Sequence, residues 1–122
     1  MARTLEGPLV MLNLLNFRVI ADYSTNLELA PEASISGRQA YDIYMAAVGP
    51  LLEKVGGELL FRGKGGPFLI GPVAAGWDMV LLVRYPNINQ FLTFARQPDY
   101  QAIAGHRTAA LRDSRLLPLQ AL

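Results

Sequence analysis

No cysteine occurs in the 122 residues, and only one histidine and one tryptophan. The missing thiols exclude a thiolate nucleophile, a cysteine-ligated zinc or iron–sulfur centre, and a disulfide framework. One imidazole and scattered carboxylates, without HxxxH or HxxE spacing, make no metal-ligand set. Charge of one sign is also lacking, since eleven Lys and Arg against ten Asp and Glu leave a formal +1. That balance gives no electrostatic footprint for nucleic acid and no charged tail. Long apolar runs are missing too. Leu9–Leu15 falls far short of the roughly 18 residues of a membrane span. Glu6 precedes it, Asn13 interrupts it and no small-x-small cleavage site follows, so it reads as a buried strand rather than a signal-peptide core. The expectation is a cytoplasmic protein with no membrane partner.

What the chain does have is apolar content, 52% of all residues. At roughly 100–200 residues per domain, residues 1–122 read as a single domain. A chain of this size buries about two-thirds of its unfolded surface, enough for a core without staples.

Periodicity sets out the elements. Pro8–Phe17 reads as a strand with Leu9, Met11, Asn13, Leu15 and Phe17 on one face and Val10, Leu12, Leu14 and Asn16 on the other. Both faces are apolar, which predicts that both are covered. Residues 18–36, with Asp22, Ser24, Asn26, Pro31, Ser34 and Ser36, read as a long connection. Loops of that length are often lids or mobile segments. A helix is expected from Gly37 to near Val55, with Ala40, Tyr41, Tyr44, Met45, Val48, Leu51, Leu52 and Val55 as its apolar stripe. Pro50 should kink it and Gly56-Gly57 end it. A second strand, Glu58–Arg62, is expected to break at Gly63, Gly65, Gly66 and Pro67, a hairpin turn, and to resume at Phe68–Ile70. No helix follows those glycines, so they are not a dinucleotide fingerprint. Arg62 and Lys64 beside them read as solvated strand-end charges. Trp77–Tyr85 is a third strand, Asn89–Ala95 a short helix, and a further helix starts at Asp99 with Tyr100, Ile103, Arg107, Ala110 and Leu111 on one side. A last strand is placed at Arg115–Leu119.

This order, β-α-β-β-α-β, is the α+β ferredoxin-like arrangement, a four-stranded antiparallel sheet with helices on one face. The helices leave the other face open, although the first and third strands are apolar there as well. An apolar patch of that extent exceeds the few hundred Å² usual on a soluble monomer. The expected solution is a homodimer, two sheets packed face to face.

The segments MLNLLNF, SGRQAYDIY, GGELLFRGKG, LIGP, WDMVLLVRYP and QPDYQAIAGHRTAALRDSRL follow one another along the chain. With Trp77-Asp78, Tyr85-Pro86, Pro98-Asp99-Tyr100-Gln101 and His106-Arg107 in this order, the sequence resembles domain-of-unknown-function family 1330 over about residues 8–119, mainly without the 18–36 loop. The resemblance implies a branch of the dimeric α+β barrel superfamily, in which two ferredoxin-like protomers pair their sheets. It implies no settled activity, and fold alone does not assign one.

Chemistry must come from a few side chains. His106 is the one group whose unperturbed pKa lies near neutrality. It reads either as a general base or haem ligand, or as a helix-edge histidine bonded to solvent, Asp99 or Asp113. Arg107 falls on an apolar stripe, where a charge needs a partner. Asn13 interrupts an apolar strand and must bond to backbone, water or a ligand. Tyr41 and Tyr44 point to the sheet, packing the core or reaching a pocket with their hydroxyls. Trp77 lines a cavity mouth or plugs the barrel end. Ser114, eight residues beyond His106 in the same helical region, lies too far along the axis for a triad. The third strand lacks the stacking aromatics of an RNA-binding sheet.

Some cofactor-free and haem-degrading monooxygenases of the resembled superfamily place an asparagine on the first strand, a histidine on the last helix and a tryptophan nearby. Asn13 and His106 match that placement. Two readings follow. One is an enzyme acting on a small aromatic or polyketide-like compound by cofactor-free proton transfer or oxygenation, with His106 and Asn13 catalytic and Tyr41, Tyr44, Trp77 and Arg107 binding the ligand. The other is a non-catalytic ligand-binding or assembly module, or a haem-binding protein. Neither calls for a dedicated metal-ion site built from protein side chains.

Overall fold

The computed structural model describes residues 4–122. Strand β1 (Leu9–Phe17) leads through an irregular segment with one 3-10 turn (Leu27–Leu29) into helix α1 (Gly37–Lys54). Strands β2 (Glu58–Pro67) and β3 (Gly76–Tyr85) form a hairpin, then come α2 (Ile88–Arg96), α3 (Pro98–Ala110) and β4 (Leu111–Leu119). The sheet order is β2-β3-β1-β4, antiparallel throughout. This is the ferredoxin-like α+β fold, with the second helical crossover split in two.

Alternation along the central strands divides the apolar residues as expected. Leu9, Met11 and Leu15 of β1 and Met79, Leu81, Val83 and Tyr85 of β3 join the core with Ala40, Tyr41, Tyr44 and Val48 of α1 and Phe94 of α2. α1 begins with a capping box, in which the Ser36 hydroxyl accepts from the Gln39 amide and the Gln39 side chain accepts from the Ser36 amide. It runs without a break through Pro50. The other sheet face carries Val10, Leu12 and Leu14 in register with Val80 and Leu82 and with Leu117 and Leu119. Phe61 sits opposite Leu82, and Phe61 and Leu117 are about half exposed, at 55% and 49%.

Three local expectations are corrected. β2 does not break at Gly63 but pairs with β3 as far as Pro67, so these glycines form a strand and not the hairpin turn. At two positions the strands approach too closely for a side chain: a Cβ on Gly65 would collide with the Trp77 carbonyl, and one on Gly76 would stand 2.6 Å from the Gly66 carbonyl oxygen. The turn falls later, so Phe68–Ile70 is loop and not resumed strand, with Leu69 and Ile70 almost fully exposed. The last strand starts at Leu111, four residues earlier than expected, because α3 passes directly into β4 and the Leu111 amide still caps the Arg107 carbonyl. Ser114 is therefore on a strand, not in a helical region.

Residues 18–36 are tied down by backbone hydrogen bonds. The Arg18 and Asp22 amides donate to the Ala110 and Ala109 carbonyls at the end of α3, and the Ala21 amide donates to Ile35. No residue of this segment lines the main cavity described below.

Candidate functional site

A cavity of about 430 Å³ lies between the sheet and the helices. Its floor is the helix-facing side of β1 and β3, with Met11, Asn13, Leu81, Val83 and Tyr85. Helical spacing brings Tyr41, Tyr44, Met45, Val48 and Leu52 of α1 to one wall. Phe91 and Phe94 of α2 and Tyr100 and Arg107 of α3 close the other. The aromatics form a continuous set: ring centroids are 5.3 Å apart for Tyr41 and Tyr44, 4.8 Å for Phe94 and Tyr100, and 5.9 Å for Tyr85 and Phe94.

Polar groups are few. Asn13 sits opposite Leu81 on β3 and Leu116 on β4, so neither cross-strand neighbour offers its side chain a partner. Its amide donates a long hydrogen bond of 3.3 Å to the Met11 carbonyl, which leaves its Oδ1 to the cavity. The Tyr44 and Tyr100 hydroxyls are 3.0 Å apart. Burial pushes the Tyr41 phenol up to about 12, although the nearby Arg107 guanidinium works against the rise. Burial raises Tyr44 and Tyr85 further, with Tyr100 adding to it. At neutral pH these phenols keep their protons and act as donors. Arg107 is half-buried and belongs to no ion pair among the described residues. No Asp, Glu, Lys or His lines the cavity. The site therefore presents phenolic donors, the Asn13 acceptor and one fixed positive charge, and no group titrating near neutrality.

Of the six side chains singled out from the sequence, Asn13, Tyr41, Tyr44 and Arg107 meet in this cavity, while Trp77 and His106 are not on its wall. Trp77 is half-buried at the start of β3, with the Arg115 guanidinium carbon 5.4 Å from its ring centre. His106, one residue before Arg107, is turned about 100° around α3 and faces the 18–36 segment. Its Nδ1 is 2.8 Å from the Tyr23 hydroxyl, with the two rings edge to face. Tyr23 is thus its partner rather than Asp99 or Asp113, and Asp113 is held by Arg115. Arg62 reaches Asp42 at 2.9 Å, an exposed pair that contributes about 1 kcal/mol at most.

Tyr85, Phe91, Phe94, Tyr100 and Ser114 are cavity residues that the sequence reading did not assign to a site. Tyr100 was visible as part of the α3 stripe. Ser114 becomes visible only through its strand pairing with Leu15. Tyr23, in a segment without periodicity, carries no signal.

Burial lowers the His106 pKa below its ordinary 6.5. The folded state then binds fewer protons than the unfolded state, so stability is lost as pH falls through and below about 6.5. In the neutral tautomer protonated at Nε2, Nδ1 accepts from the Tyr23 hydroxyl; in the other tautomer Nδ1–H donates to it. A His106→Gln variant should show a shallower fall in Tm between pH 7 and pH 5 than the parent. Identical slopes in thermal melts would remove His106 as the source.

His106 would be the natural axial ligand of a haem, but it does not face the cavity, and phenols with raised pKa values are poor phenolate ligands. The residues present do not fit that group. Among the described residues no cluster of His, Cys, Asp and Glu could hold a metal ion, and no helix is long and apolar enough to cross a membrane.

A ferredoxin-like sheet with an aromatic, donor-lined cavity under its helices defines the class. Residues 30–118 match the family model described as Domain of unknown function (DUF1330), and the chain belongs to that family. A protein of unknown function from Rhodopseudomonas palustris is similar at 37% identity over 96% of this chain and 84% of that one, with a TM-score of 0.82. A dimeric ferredoxin-like protein of unknown function from Thermobifida fusca is 14% identical over 94% of this chain and 92% of that one, with a TM-score of 0.54. A hydroxynitrile lyase from Passiflora edulis shares the fold at 16% identity, 93% and 92% coverage and a TM-score of 0.54. No curated protein is significantly similar to the chain.

Proposed function

We propose that this protein is a homodimeric small-molecule-binding protein whose ligand is a small aromatic or polyketide-like compound held between sheet and helices. The cavity carries this reading: about 430 Å³, mostly apolar and aromatic, with Asn13, Arg107 and four tyrosines on its wall. That combination of an apolar wall and a few placed polar groups is the usual pattern of a ligand site. The dimer is supported by the apolar open face of the sheet and by the description of the Thermobifida fusca protein of the same fold as dimeric.

The donors could also stabilise negative charge developing on a ligand oxygen, the electrostatic part of an enolising or oxygenating reaction. Cofactor-free proton transfer further needs a base within hydrogen-bond or one-water reach. The cavity wall offers none, and His106 faces the other side of α3. Ligand binding is therefore the reading that the geometry supports best.

Proton–nitrogen correlation NMR with a naphthalene carboxamide tests it. Shifts should cluster at Asn13, Leu81, Tyr44 and Arg107. Met45→Trp, which adds bulk at the α1 wall, should weaken binding about tenfold or more, roughly 1.4 kcal/mol, while the rest of the spectrum stays folded. Shifts scattered over the surface, or affinity unchanged in Met45→Trp, would exclude the cavity as the site.

A further inference from the structure

We infer that the ligand is an anion, an apolar ring system in the cavity whose carboxylate engages Arg107 at the side where the cavity meets an arginine-lined cleft. This rests on the cavity being the binding site and names the class of molecule that it takes.

A second, more open cleft of about 380 Å³ is bordered by Arg18, Arg107, Arg112, Thr108, Asp113 and Ser114. Arg107 and Ser114 border both spaces, so the two adjoin along that pair. Among the described residues none of Arg18, Arg107 and Arg112 is in an ion pair. The one acid of the cleft, Asp113, is engaged by the Arg115 guanidinium and the Ser114 amide. Asp22 attracts Arg18 from a distance, but its carboxylate is occupied by the Ser24 amide. Three guanidiniums thus share one cleft in a chain whose formal charge is only +1.

Arg107 is the decisive member. A guanidinium stays protonated at any physiological pH, so a half-buried arginine without a counter-charge is poorly compensated for its lost hydration. A ligand carboxylate supplies what the protein does not, and the fork of N–H groups accommodates it in bidentate fashion. The Tyr41 hydroxyl, close enough to Arg107 to feel its charge, is a further donor to the same oxygen. Exposed Arg18 and Arg112 stand outside as the charges that draw an anion toward the opening.

The test is a matched pair of probes, naphthalene carboxylate and naphthalene carboxamide, titrated by the same NMR measurement. The carboxylate should bind the parent at least tenfold more tightly. Arg107→Met should erase that preference, lowering carboxylate affinity at least tenfold more than carboxamide affinity. The exposed double variant Arg18→Gln, Arg112→Gln should keep the carboxamide affinity while weakening carboxylate binding and flattening its dependence on salt. If Arg107→Met does not fold, this double variant decides alone. Equal affinities in the parent, or a carboxylate preference that survives these substitutions, would overturn the anion and leave the cavity standing. Failure of both probes to bind would overturn the cavity itself.

Discussion

Leu82→Asp should turn a dimer into a monomer. Leu82 lies at the middle of the open sheet face, opposite Leu12 on β1 and Phe61 on β2. In an isolated protomer this position faces water, so the aspartate is tolerated and the helix-side core is untouched. Between two sheets packed face to face, the same carboxylate would be desolvated with apolar neighbours on all sides, at a cost of several kcal/mol for an unpaired buried ion. Because a symmetric interface presents each residue twice, the penalty is applied twice. Native mass spectrometry of the parent should give a dimer, and that of Leu82→Asp a folded monomer with an unchanged far-ultraviolet spectrum. A monomeric parent would refute the paired sheets, and a dimeric variant would place the interface elsewhere.

The largest effect on stability is expected at Gly37. This residue opens α1, is buried, and donates its amide to the Arg18 carbonyl at 3.1 Å. A Cβ there would collide with that carbonyl oxygen and stand 2.6 Å from the carbonyl oxygen of Ala110. Both obstacles are backbone, one just beyond β1 and one at the junction of α3 and β4, so no side chain can swing away. Gly37→Ala should cost about 3 kcal/mol, the upper part of the range for overpacking, and lower Tm by roughly 10 °C. Gly66→Ala, where an added methyl group meets nothing within 4 Å, is the matching control. Coincident melting curves for Gly37→Ala and the parent would show that the chain here can give way.

The contrast between these glycines marks how far the residues could be read in advance. Strands β1 and β3 and helix α1 were legible because long apolar periodicities leave little choice of period. Asn13, Tyr41, Tyr44 and Arg107, which line the cavity, stood out for a related reason: each is a polar group on a face otherwise apolar. Gly63, Gly65 and Gly66 were misread because glycines that make a turn and glycines inside a paired strand leave the same mark in a sequence. Only the pairing of β2 with β3 tells them apart. The start of β4 was missed because α3 passes into it with no turn residue between Ala110 and Leu111 to signal the change. Tyr23 against His106 is a contact across 83 positions, between a helix and a segment without periodicity. Nothing local could reveal it.

Strand β1 has a consequence for how this protein can change over time. Met11 and Asn13 face the cavity, while Val10, Leu12 and Leu14 face the side that we assign to a second copy. From Val10 to Leu14 no position on it is idle, so drift that would be silent in a half-exposed strand alters here either what is bound or what is paired. A shift of register by one residue would exchange the two duties all at once. Along this strand, a new ligand preference and a new state of assembly lie a single position apart.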